Sequence, residues 1–143
     1  MTKTVREVLR DKGQAVWTVD ADAAVIAALK LMADKEIGAL MVVEGERLVG
    51  VISERDYARK VVLRGKSSKD TPVREIMTQK VLYVRPEQTI EECMALMTEK
   101  HIRHLPVFDG DRLVGVVSIG DLVKEVISQQ EFIIKQLETY IMS

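Results

Sequence analysis

The chain has 143 residues, of which 47% are hydrophobic and 30% charged, as is typical of one globular domain or of one closely paired double unit. With 21 basic and 22 acidic residues its formal charge is -1, which argues against binding nucleic acid or an anionic membrane by bulk charge. The longest apolar run, at 37–43, has the length of a strand and is too short to span a membrane. We expect a cytoplasmic protein, because no apolar signal segment begins the chain and the single cysteine, Cys93, excludes an internal disulfide.

The first half of the chain predicts the order strand, helix, strand, strand, helix. The predicted elements are a strand at 15–19, a helix at 24–37, strands at 39–44 and 47–53, and a helix at 54–63. Asp22 is a candidate cap for the start of the first helix and Gly38 a candidate end. Ser53 is a candidate cap for the second helix.

The second half repeats this order. The predicted elements are a strand at 81–84, a helix at 87–100, strands at 104–109 and 112–118, and a helix that starts near Asp121 behind the cap Ser118. Residues 16–56 align with 81–121 without a gap, and 16 of the 41 paired residues are identical. A repeat of this length indicates a supersecondary unit that needs its copy to bury its apolar face. We therefore predict two similar clefts between the copies.

A second, shorter repeat precedes each copy, VREVL at 5–9 and VREIM at 73–77. Its offset is 68 residues, whereas the main repeat has an offset of 65. The first copy therefore has three extra residues around 11–15, and we predict that the two clefts differ near this loop.

The repeats set the predicted domain boundaries, which are a first repeat at 1–65, a linker at 66–71, a second repeat at 72–127 and a C-terminal helical extension at 128–143. The wider segment 64–72 is polar and basic, as is typical of a linker. The last stretch of the chain, 122–143, has no counterpart in the first copy. Its apolar residues lie at or near helical spacing, so it either covers its own core or docks on a second subunit, and we favour docking.

Each copy closes on nearly the same motif, RLVGVISERD at 47–56 and RLVGVVSIGD at 112–121. A tandem β-α-β-β-α repeat with this ending resembles the CBS-domain pair, named after cystathionine β-synthase, over roughly residues 5–127. The resemblance implies an α+β fold of two repeats packed as a pseudo-two-fold pair. It also implies a non-catalytic, energy-sensing regulatory module that signals to an unknown partner. The ligand class that it implies is AMP, ADP, ATP, S-adenosylmethionine or NAD, bound between the repeats of a homodimer.

The serine and aspartate of each motif are the main candidate ligand-binding residues: Ser53, Asp56, Ser118 and Asp121. An ionised carboxylate can accept hydrogen bonds from both hydroxyls of a ribose, and a serine at a helix start can donate to a phosphate. The alternative is that these residues only cap their helices.

The resemblance places the ends of the first helices in the other wall of each cleft. These residues are Ile37, Gly38 and Ala39 in the first copy and Ile102, Arg103 and His104 in the second. Only the second set offers a cation, Arg103, with His104 if it is protonated. Conversely, Arg55 stands where the second copy has Gly120. We therefore predict two sites that share the ribose contact and prefer different phosphate tails.

Five further residues complete the candidate ligand set that the resemblance implies: Lys12, Trp17, Thr78, Leu82 and Val116. Trp17 either stacks on adenine or packs in the core, and Leu82 is its counterpart. The basic residues at 55–69 form either a solvated face or a contact to a phosphate tail, and the lack of interleaved aromatic residues disfavours nucleic acid.

The sequence has no nucleophile elbow, CxxC or HExxH motif, so we expect neither an enzyme nor a metal site. Two rival interpretations remain. The protein is an assembly or interaction protein with vestigial clefts, or it is an enzyme that acts on a nucleotide.

Overall fold

The computed structural model describes residues 3–13 and 15–142, with side chains as far as residue 139. These residues fold into two compact units. The contiguous unit is Val16–Leu82, and the composite unit combines the described residues before Val16 with those from Tyr83 onward. The short N-terminal helix therefore folds with the second repeat, and the short helix after the linker folds with the first.

Six α-helices and five strands make up the two units over the described residues. In chain order they are α1 (Val5–Lys12), β1 (Thr18–Asp20), α2 (Val25–Lys35), β2 (Ala39–Glu44), β3 (Arg47–Ser53), α3 (Glu54–Tyr57), a π-helical turn (Ala58–Val62), α4 (Val73–Ile76), α5 (Ile90–Lys100), β4 (His104–Asp109), β5 (Arg112–Ser118) and α6 (Ile119–Met142). The helix predicted at 54–63 is thus divided between α3 and the π-helical turn. None of the helices in the described part of the chain is long and apolar enough to cross a membrane.

The contiguous unit is built on one sheet with the strand order β1-β2-β3. β1 runs parallel to β2, and β3 runs antiparallel to it. Apolar side chains from α2, the sheet and α4 form a single buried cluster, which includes Val25, Met32, Leu40, Ile52 and Ile76. This core holds the end of β3 and the start of α3 in place.

The composite unit pairs β4 with β5 in an antiparallel ladder and surrounds them with α1, α5 and α6. Its buried cluster includes Leu9 of α1, Cys93 of α5, Leu105 of β4 and Leu122 of α6. Burial, with a smaller effect of Glu92, raises the pKa of the Cys93 thiol to about 11. Cys93 is therefore a protonated core thiol, as its apolar position in the sequence predicts.

The strands predicted at 39–44, 47–53, 104–109 and 112–118 are confirmed with the same bounds. The strand predicted at 81–84 is wrong, because only Val84 forms a bridge, to Val107. The repeat explains the difference. In the contiguous unit Ala21 extends the ladder by donating its N–H to Val43 O at 3.0 Å. The residue of the composite unit that is equivalent to Ala21 is Pro86, which has no N–H to donate.

The predicted cap at the start of α2 is also wrong. The helix begins at Val25, and its N-cap residue Ala24 makes no side-chain hydrogen bond. The N–H of Val25 instead donates to Thr71 O at 2.8 Å, so the segment predicted as a linker caps this helix through its backbone. Asp22 accepts a hydrogen bond from Arg74 Nε at 3.1 Å.

The end of α2 lies before the predicted residue Gly38. Glu36 closes the helix in the left-handed conformation, with φ of 54°, and its N–H donates to Ala33 O. His101 closes α5 in the same way, with φ of 55°. Both repeats therefore use a non-glycine residue for a turn that usually favours glycine.

A glycine in the middle of the last strand lets a short segment lie directly on each sheet. A Cβ added to Gly115 of β5 would come within 2.7 Å of Leu9 Cδ2 on α1. A Cβ added to Gly50 of β3 would come within 2.7 Å of Met77 Sδ and 2.9 Å of Thr78 O. In both units, therefore, the glycine of the repeated LVGV sequence is required for close packing on the sheet.

Gly50→Ala is expected to destabilise the protein more than Gly115→Ala. At Gly50 the new methyl group meets a backbone carbonyl, whereas at Gly115 it meets the tip of a flexible leucine side chain. We expect the Gly50 variant to lose about 1–3 kcal/mol of unfolding free energy and the Gly115 variant to lose less. Urea unfolding followed by circular dichroism measures both, and equal losses would contradict this account of the packing.

Candidate ligand-binding site

Each unit ends its last strand on a serine that caps the following helix. In the contiguous unit the N–H of Asp56 donates to Ser53 Oγ at 3.2 Å, and the N–H of Ser53 donates to Asp56 Oδ2 at 3.0 Å. In the composite unit the equivalent bonds between Asp121 and Ser118 measure 3.2 and 2.8 Å. The predicted caps are confirmed, and both carboxylates are held at the turn from strand to helix.

The segments predicted as the second wall lie beside these turns. Gly38 O accepts from the N–H of Glu54 at 3.0 Å, and Arg103 O accepts from the N–H of Ile119 at 2.9 Å. The next residue of each segment pairs with the capping serine across the ladder, as Ala39–Ser53 and His104–Ser118. Ile37 and Ile102, which precede Gly38 and Arg103, each pack against the core of their own unit. The structure thus brings these predicted residues together within each unit.

In the contiguous unit a threonine and a lysine contact the carboxylate. Thr78 pairs with Val51 of β3 through two backbone hydrogen bonds of 2.8 and 3.0 Å, and its hydroxyl lies 3.4 Å from Asp56 Oδ1. Lys60 Nζ lies 3.2 Å from the same oxygen and donates to Ile76 O at 2.9 Å. Lys60 was predicted only as one of the basic residues at 55–69, in a solvated face or in a contact to a phosphate tail. Its contact with Asp56 was not predicted, although a spacing of four residues on a helix favours it.

In the composite unit a lysine from α1 takes the equivalent place. Lys12 Nζ donates to Asp121 Oδ2 and to Val116 O, both at 2.7 Å. Val116 is the counterpart of Val51 in the repeat, so a side-chain ammonium replaces the backbone N–H of Thr78. Lys12 lies 104 and 109 residues from Val116 and Asp121 in the chain but contacts both of them at this site.

The difference in length between the short helices explains this replacement. α1 has eight residues and ends at Lys12, whereas α4 has four. The extra residues were predicted to alter a loop at 11–15, but Asp11 and Lys12 are helical. The predicted difference between the sites therefore arises from the last turn of α1.

The charges at the composite site also follow from this contact. Burial alone raises the pKa of the Asp121 carboxyl, but the hydrogen bonds from Lys12 and Ser118 outweigh it, so the pKa lies below the ordinary value of 3.8. Burial and then the Lys12 ammonium lower the pKa of His104 below 6.5, although Asp121 opposes this shift. At neutral pH His104 is uncharged, so the cations among the predicted residues here are Lys12 and Arg103.

Trp17 lies just before β1 and is 41% exposed, so it does not pack in the core as one alternative held. Its neighbour Thr18 pairs with Met41, which places the indole at the end of the sheet where β2 begins. Lys35 Nζ lies 4.1 Å from the ring centroid. Leu82 is 37% exposed and belongs to no strand.

Arg55 and Arg103 are both exposed, on α3 and on the loop before β4 respectively. A groove of about 560 Å³ lies near Arg55 between α2 and α3. It is lined by Leu29, Met32, Ala33, Glu36, Ile37, Gly38, Glu54, Tyr57 and Ala58. The groove reaches two predicted site residues, but it does not include the capping serine or aspartate.

Among residues 3–13 and 15–142 no group of three or more His, Cys, Asp or Glu side chains is arranged to hold a metal ion.

Comparison with known proteins identifies the family. A family model described as the CBS domain matches residues 4–63 and 73–128, which correspond to the two repeats. The chain belongs to the CBS-domain family. The family models and the similar proteins indicate no enzyme family.

Several relatives of this CBS-domain chain match it over most of its length. A Burkholderia ambifaria protein described as a candidate signal-transduction protein with CBS domains is 56% identical, with a TM-score of 0.87 over 90% of this chain and 96% of its own. The mitochondrial CBS domain-containing protein CBSX3 of Arabidopsis thaliana is 39% identical over 96% of this chain and 71% of its own. The CBS domain pair of the protein MJ0100, solved with 5′-methylthioadenosine and S-adenosylmethionine, has a TM-score of 0.80 and 24% identity, covering 90% of this chain and 99% of its own.

Lys12→Met is expected to raise the pKa of Asp121. The variant removes the hydrogen bond and the positive charge that lower this pKa, while burial continues to raise it. In the wild type the resulting stability is present above the ordinary pKa of 3.8 and is lost as the pH falls through the lower pKa of the folded protein. Carboxyl carbon NMR titration measures the shift. An unchanged titration of Asp121 would show that Lys12 does not hold this carboxylate in solution.

Proposed function

We propose that this protein is a non-catalytic regulatory module that binds adenosine-containing compounds at its two Ser-x-x-Asp turns. The observation that carries this proposal is the repeated placement of one carboxylate, Asp56 or Asp121, in the same capping geometry in both units. CBS-domain pair proteins are generally regulatory and bind ligands. The fold neighbour MJ0100 binds two adenosine compounds, which supports this class of ligand for the fold.

The chemistry of the turn suits a ribose. A carboxylate only accepts hydrogen bonds, and the two adjacent hydroxyls of a ribose are both donors. The side chains of Asp56 and Asp121 are 11% and 23% exposed, so their hydrogen bonds form largely away from water. AMP, ADP, ATP, NAD and S-adenosylmethionine all present this ribose, and we propose that the two sites discriminate among them by the group attached to the sugar.

The composite site is proposed to favour ligands that carry a phosphate. In the free protein Lys12 Nζ binds Asp121, the carboxylate that the ribose needs. A phosphate group gives this ammonium a second anion to bind, which leaves the Asp121 carboxylate available to the sugar hydroxyls. Neutral adenosine offers no such anion. Arg103 supplies a further cation on the same segment.

Lys12 also offers a route from ligand to regulated partner. Ion pairs join α6 to the residue two positions before α1 and to the last residue of α1. Lys3 Nζ lies 2.7 Å from Glu125 Oε2, and Lys12 Nζ lies 2.7 Å from Asp121 Oδ2. A ligand that moves Lys12 breaks one of these ion pairs. Binding would then favour the conformation in which α1 is released at that end, as a shift in population requires.

We further propose that the protein acts as a homodimer in the cytoplasm and that a separate protein reads its state. A CBS-containing neighbour, the CBS-CP12 protein of bloom-forming cyanobacteria, is hexameric, which supports self-association of such proteins. The long α6, with exposed apolar side chains, is the observation that favours the alternative function, an assembly protein with vestigial sites. Ligand titration separates the two functions.

Asp56→Asn and Asp121→Asn should each weaken binding at one site and leave the other unchanged. Asparagine has nearly the same shape, so it can still accept the capping hydrogen bond, but it lacks the charge that strengthens the bonds to ribose. The loss of a charge-assisted hydrogen bond costs about 1.5–3 kcal/mol, which corresponds to roughly 10- to 150-fold in affinity. Isothermal titration calorimetry with AMP and with S-adenosylmethionine measures each site.

Glu46→Gln, a charge change in the exposed turn between β2 and β3, is the matched control and should leave both affinities unchanged. If none of AMP, ATP, NAD and S-adenosylmethionine binds the wild type or raises its melting temperature, the assembly function is favoured. Turnover of ATP or NAD on incubation would instead favour an enzyme.

Lys12→Met should remove the preference of the composite site for phosphate. The measurement uses the Asp56→Asn background, in which the site of the contiguous unit is weakened. In the protein that keeps Lys12, we expect AMP to bind about ten-fold more tightly than adenosine, as one added charge-assisted contact predicts. In the Lys12→Met variant, we expect AMP and adenosine to bind with equal affinity. Lys60→Met is the control, since Lys60 contacts Asp56 and Ile76 O, which both lie in the contiguous unit. An equal AMP preference with and without Lys12 would contradict this role.

A further inference from the structure

The second half of α6 is exposed and packs against no other described element. Residues 130–139 are all exposed, and the large apolar side chains among them are Phe132, Ile133, Ile134 and Leu137. Nearer its start the helix is anchored, because Leu122 is fully buried and Val126 packs against the core of the composite unit. α6 therefore extends beyond the core that holds it.

A helical segment of this kind needs a partner to be stable. An isolated helix of fewer than about 12–15 residues is marginal in water even with a favourable sequence. The exposed part of α6 is rich in β-branched and aromatic residues, such as Phe132, Ile133 and Ile134, whose helix propensity is low. Burial of an apolar stripe against another surface supplies the missing stabilisation.

A subset of the exposed apolar residues of α6 follows a heptad, whereas Phe132 and Ile133 lie outside it. The positions 123, 127, 130, 134, 137 and 141 alternate in steps of four and three, and all are apolar except Gln130. Val123, Ile127, Ile134 and Leu137 are 40%, 50%, 53% and 57% exposed. A stripe with a period of 3.5 residues over nearly three heptads is the pattern of a coiled-coil seam.

We infer that this stripe pairs with the same stripe of a second copy as a parallel, in-register, two-stranded coiled coil. Isoleucine occupies all three a positions, 127, 134 and 141, and Leu137 occupies a d position. Isoleucine at a with leucine at d favours two parallel strands. In this register Gln130 faces its own counterpart on the second copy, and two side-chain amides can donate to and accept from each other.

The charges and the glutamine disfavour the antiparallel pairing. There Gln130 would face an isoleucine and lose its hydrogen bonds, and Glu131 would approach its own copy across the seam. In the parallel pairing the e positions Glu131 and Glu138 lie opposite the g positions Val126 and Ile133, so no like charges meet. The second copy is therefore the occupant that this face fits. The inference rests on the proposed homodimer and not on ligand binding.

Cysteine cross-linking in the full-length protein tests this contact. Leu137→Cys places a thiol at a d position in the seam, and Ser128→Cys places one at a b position on the opposite side of the same helix. On mild oxidation we expect the Leu137 variant to form a covalent dimer on non-reducing gels, with at least about ten-fold more product than the Ser128 variant. The native thiol Cys93 is buried and protonated, so the wild type should form none.

A second substitution in the Leu137→Cys protein shows whether the seam itself makes the contact. Ile134→Asp should abolish the cross-link, whereas Phe132→Asp, which alters an equally exposed apolar residue outside the seam, should leave it intact. Equal cross-linking from positions 128 and 137, or a cross-link that survives Ile134→Asp, would overturn the inference. If light scattering then still gives the mass of a dimer, the proposed homodimer stands but forms through another surface. AMP titration of the same variants reports separately on the ligand sites.

Discussion

Both candidate sites depend on the close approach of a short segment to a glycine on the last strand of each unit. Gly50 and Gly115 leave no side chain between the sheet and the residues that cross it, Met77 and Leu9. Because these residues lie against the strand, the residues after them in the chain reach the carboxylate at the strand's end. A side chain at Gly50 would meet Thr78 O and push this segment away, whereas one at Gly115 would force the Leu9 side chain to shift.

The two units use this common architecture to build chemically different sites. The longer α1 carries an ammonium to Asp121. After the shorter α4, the backbone of Thr78 pairs with Val51 and its hydroxyl lies beside Asp56. Lys60, on the π-helical turn after α3, adds a cation to the site of the contiguous unit. A duplicated carboxylate with different neighbours is consistent with the proposal of two ligand preferences, because the proposed sugar contact is the same in both units while the surrounding charge differs.

Helix capping and ligand binding are compatible roles for the same residues. The capping box holds each aspartate in one conformation, since the N–H of the serine donates to a carboxylate oxygen in both units. A carboxylate that is already fixed loses little conformational entropy when a ligand binds. The cap therefore prepares the proposed ribose contact.

Local patterns in the sequence determined the four paired strands, the two serine caps and the duplicated aspartates, because alternation, turn residues and capping act between residues close in the chain. Lys12, Thr78 and Val116 could be predicted as site residues only through the family resemblance. The tertiary structure alone decided that α1 folds with the second repeat, that Thr71 caps α2, and that Lys12 binds Asp121. Lys12 and Asp121 are 109 residues apart, and such a contact depends on how helices and strands pack, which no local pattern records.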